Sequence, residues 1–480
     1  MCATIYNMQS RWLHYEAAQA ATKTLESAGF EAYIIGGAVR DILLGKTPKD
    51  FDLVTNAKPE EILKLDGFSK SKYKDTSQAY GVTRVYVDLN DNNGSSHKIQ
   101  LELATYRRDI EAHLGRTQTK VAFASLEEDV KRRDFSVNAI ALNPDTGQMI
   151  DLVNGMDDIE HKILRFIGDP YVRIQEDPLR LLRAIRLKNQ LSFTYEAEAE
   201  AALHQAIESG AVRDIAKDRV GIELSSMLMH ENRTFSLRDL DKFSILEELI
   251  PELTRLKQVK QPPELHAEGD VWRHTMLAMQ FLPNILSPRL AWATLLHDIG
   301  KADTFKSEAE TGDRIRFDDH HSVGAEIAVK ILKRLGFGKR FRQDVEWMIR
   351  HHIGIDNLPR MRPKRADKFM SHPAFADLLE LHKADAHAAW SKDADGTVDD
   401  TEADFSELEA LWSEFQNKKH QHPPSLKDDL SIDGDWLRRE FGIEPGPQMG
   451  RILKELREKH LDGEIESQAE ARKFIKSLLA

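Results

Sequence analysis

Hydrophobic and polar positions divide the chain into two regimes. Up to about residue 155, short apolar runs alternate with helical stretches, and "AYIIGG", "FDLVT", "VTRVYVDL" and "HKIQLELATY" read as strands. The last alternates Ile99, Leu101 and Leu103 with Gln100, Glu102 and Ala104, the period of a strand with one buried face. From "EDPLRLLRAIRL" onward, apolar residues recur at three- and four-residue spacing, which predicts helices punctuated by "QPPELHAEGD", "GFGK", "LPRMRPK" and "QHPPS". The acidic stretch "SKDADGTVDDTEADFSE" (391–407) reads as a linker or exposed loop. It brings no Glu to the offset that a calcium-binding loop requires, so that chemistry is rejected. No internal repeat is visible.

A chain of 480 residues is long enough for several domains with large cores. No run is apolar enough to span a bilayer, and the first residues carry no signal pattern, so a cytoplasmic protein without membrane association is expected. Cys2 is the only cysteine, which excludes internal disulfides and thiolate clusters and leaves His, Asp and Glu as metal ligands. A net charge of −12 argues against nucleic acid as a partner. Basic clusters reverse that balance locally: "KRR" (131–133), "RLLRAIRLK" (180–188), "KILKRLGFGKRFR" (330–342) and "RMRPKRADK" (360–368).

The segment "IIGGAVRDILLGKTPKDFDLVT" (34–55) reads as strand, tight turn, short helix, strand. Asp50 and Asp52, two apart on the expected second strand, would share a face. Their mutual repulsion is best neutralised by hard cations such as Mg²⁺, which also bring nucleotide phosphates. Glu102, on the polar side of a neighbouring strand, is a candidate third carboxylate. Gly36 and Gly37 would let backbone approach a triphosphate, the following helix would aim its first amides at it, and Arg40 would add a charged fork.

On these residues the chain resembles the nucleotidyltransferases of the polymerase-β superfamily, specifically the bacterial group of CCA-adding tRNA nucleotidyltransferases and poly(A) polymerases. "KRRDFSVNAIAL" (131–142) resembles that family's second motif, which implies that Arg133, Asp134 and Asn138 contact the ribose and phosphates of the incoming nucleotide. "DLVNGMDDIEHKILRFIGDP" resembles its hinge segment, and "QEDPLRLLRAIRL" (175–187) its nucleotide-selecting motif. The selection has a chemical basis. Cytosine and adenine pair an amino donor with an unprotonated ring nitrogen, whereas uracil and guanine pair a carbonyl with an N–H. Asp177 only accepts and Arg180 only donates, so together they complement C and A. Three residues apart on one helix, they are expected on one face, with Glu176 positioning Arg180 and Arg183 completing the nucleotide-binding set. The segment 107–123 resembles the flexible loop of enzymes able to add the terminal A.

"LLHDIGK" (295–301) places His297 and Asp298 side by side, with His274 upstream and Asp385 downstream. This order resembles the HD-domain metal phosphohydrolases. Imidazole with carboxylate suits a divalent transition metal such as Mn²⁺ or Ni²⁺, which activates water for attack on a phosphoester. One histidine each from the pairs 320/321 and 351/352 is expected to complete the site, and the resemblance favours His321 and His352. Candidate substrates are 2′,3′-cyclic phosphates, 2′-nucleotides or damaged tRNA ends. The segment 430–475 resembles the helical tail of the same enzymes, with "GIEPGPQMG" offering a helix start for an RNA phosphate.

The expected fold is α+β and multidomain: a nucleotidyltransferase head with a small mixed sheet (14–155), an all-α neck and body (156–260), an all-α HD domain (261–395), and a linker with an RNA-binding helical tail (396–480). The expected function is template-independent addition of CMP and AMP, from CTP and ATP, to the tRNA 3′ end, with HD phosphohydrolase activity. Alternatives are an A-adding, CC-adding or poly(A) enzyme, or an HD hydrolase whose head is only an RNA-binding scaffold.

Overall fold

Alternating burial along the early strands sets the architecture that holds the first site. The computed structural model describes residues 2–70, 81–90, 95–109, 121–262, 266, 268–389, 391–392, 398–399, 403–421, 426–461, 464–465 and 467–479. Most of the 107–123 loop and much of the acidic stretch at 391–407 therefore lie outside the described residues. The chain forms two compact units, Met1–Leu249 and Ile250–Ala480.

The first unit contains a seven-stranded mixed sheet. Its strands are β1 (Ala32–Ile35), β2 (Asp52–Thr55), β3 (Ser69–Lys70), β4 (Val82–Asn90), β5 (Ser96–Thr105), β6 (Ala141–Leu142) and β7 (Met149–Ile150), in the order β3-β4-β5-β2-β1-β6-β7. β2 and β5 are parallel, with Asp52 opposite Glu102, and the other pairings are antiparallel. Leu101 and Leu103 are buried, as their alternation predicts. The N-terminal helix Cys2–Ser27 covers one face, burying Ala17, Ala18, Ala21 and Leu25.

Behind the sheet the helix Gly155–Glu160 meets the short turn of helix Ser136–Asn138. A Cβ on Gly155 would lie 2.3 Å from the Ser136 carbonyl oxygen, so only glycine permits this approach. Helices Pro170–Glu176, Leu179–Leu191, Ala197–Glu208 and Lys217–Leu228 follow. Leu179–Leu191 buries Leu181, Leu182 and Ile185, the stripe its spacing predicts, against Lys217–Leu228 and Arg233–Lys242.

The second unit is helical. Val271–Phe281, Pro288–Leu296, His320–Arg334, Lys339–His351 and Phe375–Ala388 pack around Trp292 and Phe375, both fully buried. Their starts are chemically specified: Asp270 accepts from Arg273 N at 2.8 Å, and Ser287 accepts from Leu290 N at 3.1 Å ahead of a proline. A separate core of Trp436, Leu437, Leu456 and Ile475 forms the tail. There Asp433 caps Gly434–Phe441, and Gly442, at φ 68°, ends it. Two-residue pairings interrupt the helical region, Ile163–Leu164 with Thr194–Tyr195 and Phe305–Lys306 with Arg316–Phe317. No helix among the described residues is long and apolar enough to cross a membrane.

Gly155→Ala is expected to displace the Ser136–Asn138 turn and to destabilise the protein by about 1–3 kcal/mol, the usual cost of overpacking. Urea denaturation of the variant against wild type checks this, and an unchanged midpoint contradicts it.

Candidate active sites

The first site stands at the start of β2, where Asp52 pairs with Ile35 of β1 and Glu102 of β5. Asp52 opens β2, whereas Asp50 lies in the segment just before it, so the two acids do not share one strand as expected. They converge nonetheless. The surrounding protein, then the charges of Asp50 and Glu102, push the Asp52 pKa up to about 6, against an opposing pull from Arg133. Glu102 arrives through the parallel β2–β5 register and is steadied by Arg84 at 2.8 Å. Crowded carboxylate oxygens are the donor set that a hard divalent cation suits. Gly36, at φ 89°, brings the turn within 3.8 Å of Asp52 Oδ2, counted from where a Cβ would sit. Gly37 leaves room for the Arg40 guanidinium, whose Nη2 would be 3.3 Å from its Cβ. Arg40 is fixed by Asp41 at 2.6 Å and Asn138 Oδ1 at 2.6 Å, which ties the first motif to the second.

The second motif is tied in turn to the segment 175–187. Arg132 and Arg133 both grip the buried Asp129, at 2.8 and 3.0 Å. Arg183 donates to Asp134 from Nε at 2.8 Å. Burial alone would raise the Asp134 pKa, and the Arg183 charge and hydrogen bonds more than offset it, holding the carboxyl below its ordinary value. Arg180 donates to the Arg173 carbonyl at 2.7 Å and to Glu176 at 2.9 Å, the contact expected of a positioning Glu176.

The expectation that Asp177 and Arg180 share one helix needs correction. Asp177 has extended backbone (φ −142°, ψ 97°) after Pro170–Glu176, and Arg180 lies in the first turn of Leu179–Leu191. Pro178 forces the break, because a residue preceding proline is driven out of helical conformation. Asp177 is instead held by both terminal nitrogens of Arg219, at 3.0 and 3.2 Å. Arg219 lies 42 residues away on Lys217–Leu228, and no local pattern identifies it.

The second site gathers five elements. His274 comes from Val271–Phe281 and Asp385 from Phe375–Ala388. His297 and Asp298 sit in the turn just past Pro288–Leu296, and His352 just past Lys339–His351. His274 Nε2 and His297 Nε2 face Asp385 Oδ1 at 2.8 and 3.3 Å. Asp298 Oδ1 faces His320 and His352 at 3.5 and 3.9 Å, while its Oδ2 meets Lys301 at 2.7 Å. Three trios among the described residues are placed to hold a metal: His274, His297 and Asp385; Asp298, His320 and His352; and, behind them, His266, Glu268 and His274.

His320 therefore takes the place expected for His321. It is the first residue of its helix, with Nδ1 2.8 Å from the Phe317 carbonyl. The next residue projects about 100° away around the helix, so His321 is not among the converging groups of the described residues. Gly300 permits the arrangement, since a Cβ there would lie 2.2 Å from the His320 carbonyl oxygen.

The donor chemistry fits a metal. His297 and His352 present Nδ1 to the carbonyls of Thr294 and Ile349, at 2.8 and 2.7 Å, which fixes their protons there and leaves Nε2 facing inward. His297 Nε2 is buried with no hydrogen-bond partner, and carboxylate oxygens of Asp298 and Asp385 stand 3.3 Å away. Burial opposes its protonation, but those two charges win and push the His297 pKa up to about 10. His352 is pushed down to about 4 by burial and by His297, which outweigh the charges of Asp385 and Asp298. Glu268 accepts from Nδ1 of both His274 and His266, at 2.9 and 2.8 Å, and orients His274 from behind. Its carboxyl is pulled down to about 2, the two imidazole hydrogen bonds outweighing burial.

Family models match segments of both units. The family model of the poly A polymerase head domain matches residues 32–165, and that of the RNA- and SrmB-binding site of polymerase A matches 192–257. The HD domain model matches 271–379, and tRNA nucleotidyltransferase domain 2 matches 379–474. The chain is 31% identical over 362 residues to the A-adding tRNA nucleotidyltransferase of Deinococcus radiodurans, covering 73% of this chain and 79% of that one. It is 28% identical over 459 residues to the CCA-adding enzyme of Streptococcus sanguinis, covering 95% and 96%. The fold is that of the Bacillus stearothermophilus CCA-adding enzyme solved in complex with CTP, with a TM-score of 0.58 at 21% identity over 96% of this chain and 97% of that one.

The raised His297 pKa favours the protonated imidazole in metal-free protein at pH 7.5, and an imidazole must lose that proton to bind a metal. Loading the cluster with Mn²⁺ is therefore expected to release about one proton or more, an effect that fades as pH rises toward 10. Calorimetric titration in buffers of different ionisation enthalpy reads this directly. A binding enthalpy independent of buffer contradicts it.

Proposed function

The chain belongs to the tRNA nucleotidyltransferase family, and from that premise we propose that it builds or repairs the CCA end of tRNA, adding CMP and AMP from CTP and ATP. The observation that carries this is the convergence of Asp50, Asp52 and Glu102 beside the Gly36–Gly37 turn, within one hydrogen-bonded frame that includes Arg40, Asn138, Asp134 and Arg183. Asp50 and Asp52, with Glu102 as third carboxylate, hold Mg²⁺. When bound, that cation lowers the pKa of the attacking 3′ hydroxyl and neutralises charge on the departing pyrophosphate. The glycines admit the triphosphate, Arg40 and Arg133 steady its oxygens, and Asp134 and Asn138 orient the ribose. Asp177 and Arg180 read the base, each held by its own partner, Arg219 or Glu176, so that the remaining acceptors and donors point in fixed directions.

The chain divides in this reading into head 14–155, neck 156–260, HD domain 261–395 and tail 396–480. The HD cluster, with His320 in place of His321, holds a divalent transition metal of the Mn²⁺ or Ni²⁺ kind and hydrolyses phosphoesters of RNA ends. A-only addition is the second reading, favoured by the 31% identity to an A-adding enzyme.

Asp50→Ala and Asp52→Ala are each expected to lower transfer of CMP and AMP onto tRNA transcripts by about a thousandfold or more, leaving metal loading of the HD cluster intact. Transfer at wild-type rates in either variant sinks the catalytic assignment. Arg219→Ala is expected to relax rather than abolish selection, raising UTP and GTP incorporation relative to CTP by on the order of tenfold. Unchanged discrimination in single-turnover assays contradicts its role in holding Asp177.

A further inference from the structure

The second unit carries a groove of about 1940 Å³ that neither candidate active site uses. Eight lysines and arginines line it against three carboxylates, in a chain whose net charge is −12. All three carboxylates are already engaged: Glu346 with Arg350 at 3.0 Å, Glu464 with Arg340 at 3.2 Å, and Asp344 with Arg289 at 3.3 Å. Arg360, Arg362, Lys364 and Arg365 are exposed, and among the described residues none of them makes an ion pair. The charges of Arg360, Arg362, Lys364 and Arg365 are thus concentrated here without an ion-pair partner among the described residues. Aromatic rings are interleaved with it. Trp347 and His372 stack with centroids 3.8 Å apart and planes 7° apart, and Phe369 lies 5.3 Å from Trp347.

A basic track with stacked rings is the surface chemistry that recognises a nucleic-acid strand, since phosphates meet the cations and bases meet the rings. An acidic peptide would use the cations and leave the rings idle. We infer that this groove binds the phosphate backbone of an RNA strand and that its aromatic cluster receives a base. The placement gives the groove a purpose. The helix Lys339–His351 forms one wall, His351 lines the groove, and the next residue, His352, enters the metal-ligand cluster. An RNA held here is presented to the hydrolytic centre by a surface of the second unit itself. The choice of RNA over other polyanions rests on the function proposed above.

The test uses the full-length protein and a fluorescent tRNA transcript lacking its CCA end, with affinity followed by anisotropy across a salt series. Arg362→Glu combined with Arg365→Glu is expected to weaken binding by about tenfold or more at low salt and to flatten the salt slope by roughly one to two. The pair Lys330→Glu and Lys333→Glu, exposed on the helix His320–Arg334 outside the groove, makes the same charge change and is expected to leave the affinity within about twofold. Trp347→Leu should weaken binding without altering the slope, the mark of lost stacking. Circular dichroism melts check folding, and Arg362→Gln with Arg365→Gln supplies the same contrast should the reversed charges unfold the protein. Equal losses in both charge-reversal pairs would reduce the effect to net charge and overturn the inference. Unchanged binding in the groove variants would overturn it too, leaving the surface to an acidic protein partner. Should wild type bind RNA through the groove yet transfer no nucleotide, the proposed transferase function fails and the groove stands.

Discussion

Carboxylates pressed together against their own repulsion are the constraint around which both sites are built. In the first unit Asp50, Asp52 and Glu102 converge beside the start of β2, and burial first, then the charges of Asp50 and Glu102, raise the proton affinity of Asp52. In the second, Asp298 and Asp385 sit within a shell of imidazoles, and the shared charge appears as a His297 held far above its ordinary pKa. Neither arrangement is stable without a compensating cation, whether a proton, a lysine such as Lys301 or a metal. The fold maintains such crowding by fixing backbone first: parallel strand register in the head, and turns immediately after helix ends in the histidine cluster.

Glycine performs the closest of these placements. Gly155 lets a helix touch the turn that carries Asn138, and Gly300 lets the start of His320–Arg334 reach Asp298. Both positions exclude even a methyl group. The chemistry of each site therefore depends on residues that contribute no chemistry themselves. Longer-range order comes from arginine. Arg40, Arg180, Arg183 and Arg219 each bind a carboxylate, an amide oxygen or a carbonyl from a different segment, so the segment 175–187 and the Gly36–Gly37 turn form a single frame.

Much of this was legible in the chain because it is written at short range. The alternation of Leu101 and Leu103 with Glu102 predicts the strand, its burial and the outward carboxylate. The spacing of Leu181, Leu182 and Ile185 predicts the buried helix face. Where expectation and structure part, the cause is local geometry that residue counting ignores. Pro178 breaks the helix that would have carried Asp177 beside Arg180. One step along a helix start decides between His320 and His321, and a pair of adjacent histidines carries no hint of which faces inward. Glu268, His266 and Arg219 were invisible for a different reason. Each acts through a partner brought near by folding, or by a turn whose course the sequence does not specify, and none stands in a pattern of its own.

The central claim is that the carboxylate cleft and the base-reading pair together choose C and A in a fixed order without a template. Its most direct measurement is nucleotide addition by purified protein with Mg²⁺ to three tRNA transcripts, ending in the discriminator base, in C or in CC. Each is given CTP, ATP or both, beside lanes with UTP or GTP, and products are resolved at single-nucleotide length. The predicted result is completion of all three to CCA and refusal of UTP and GTP. Extension of the CC-ended transcript alone, or long tails of A on any of them, would contradict it.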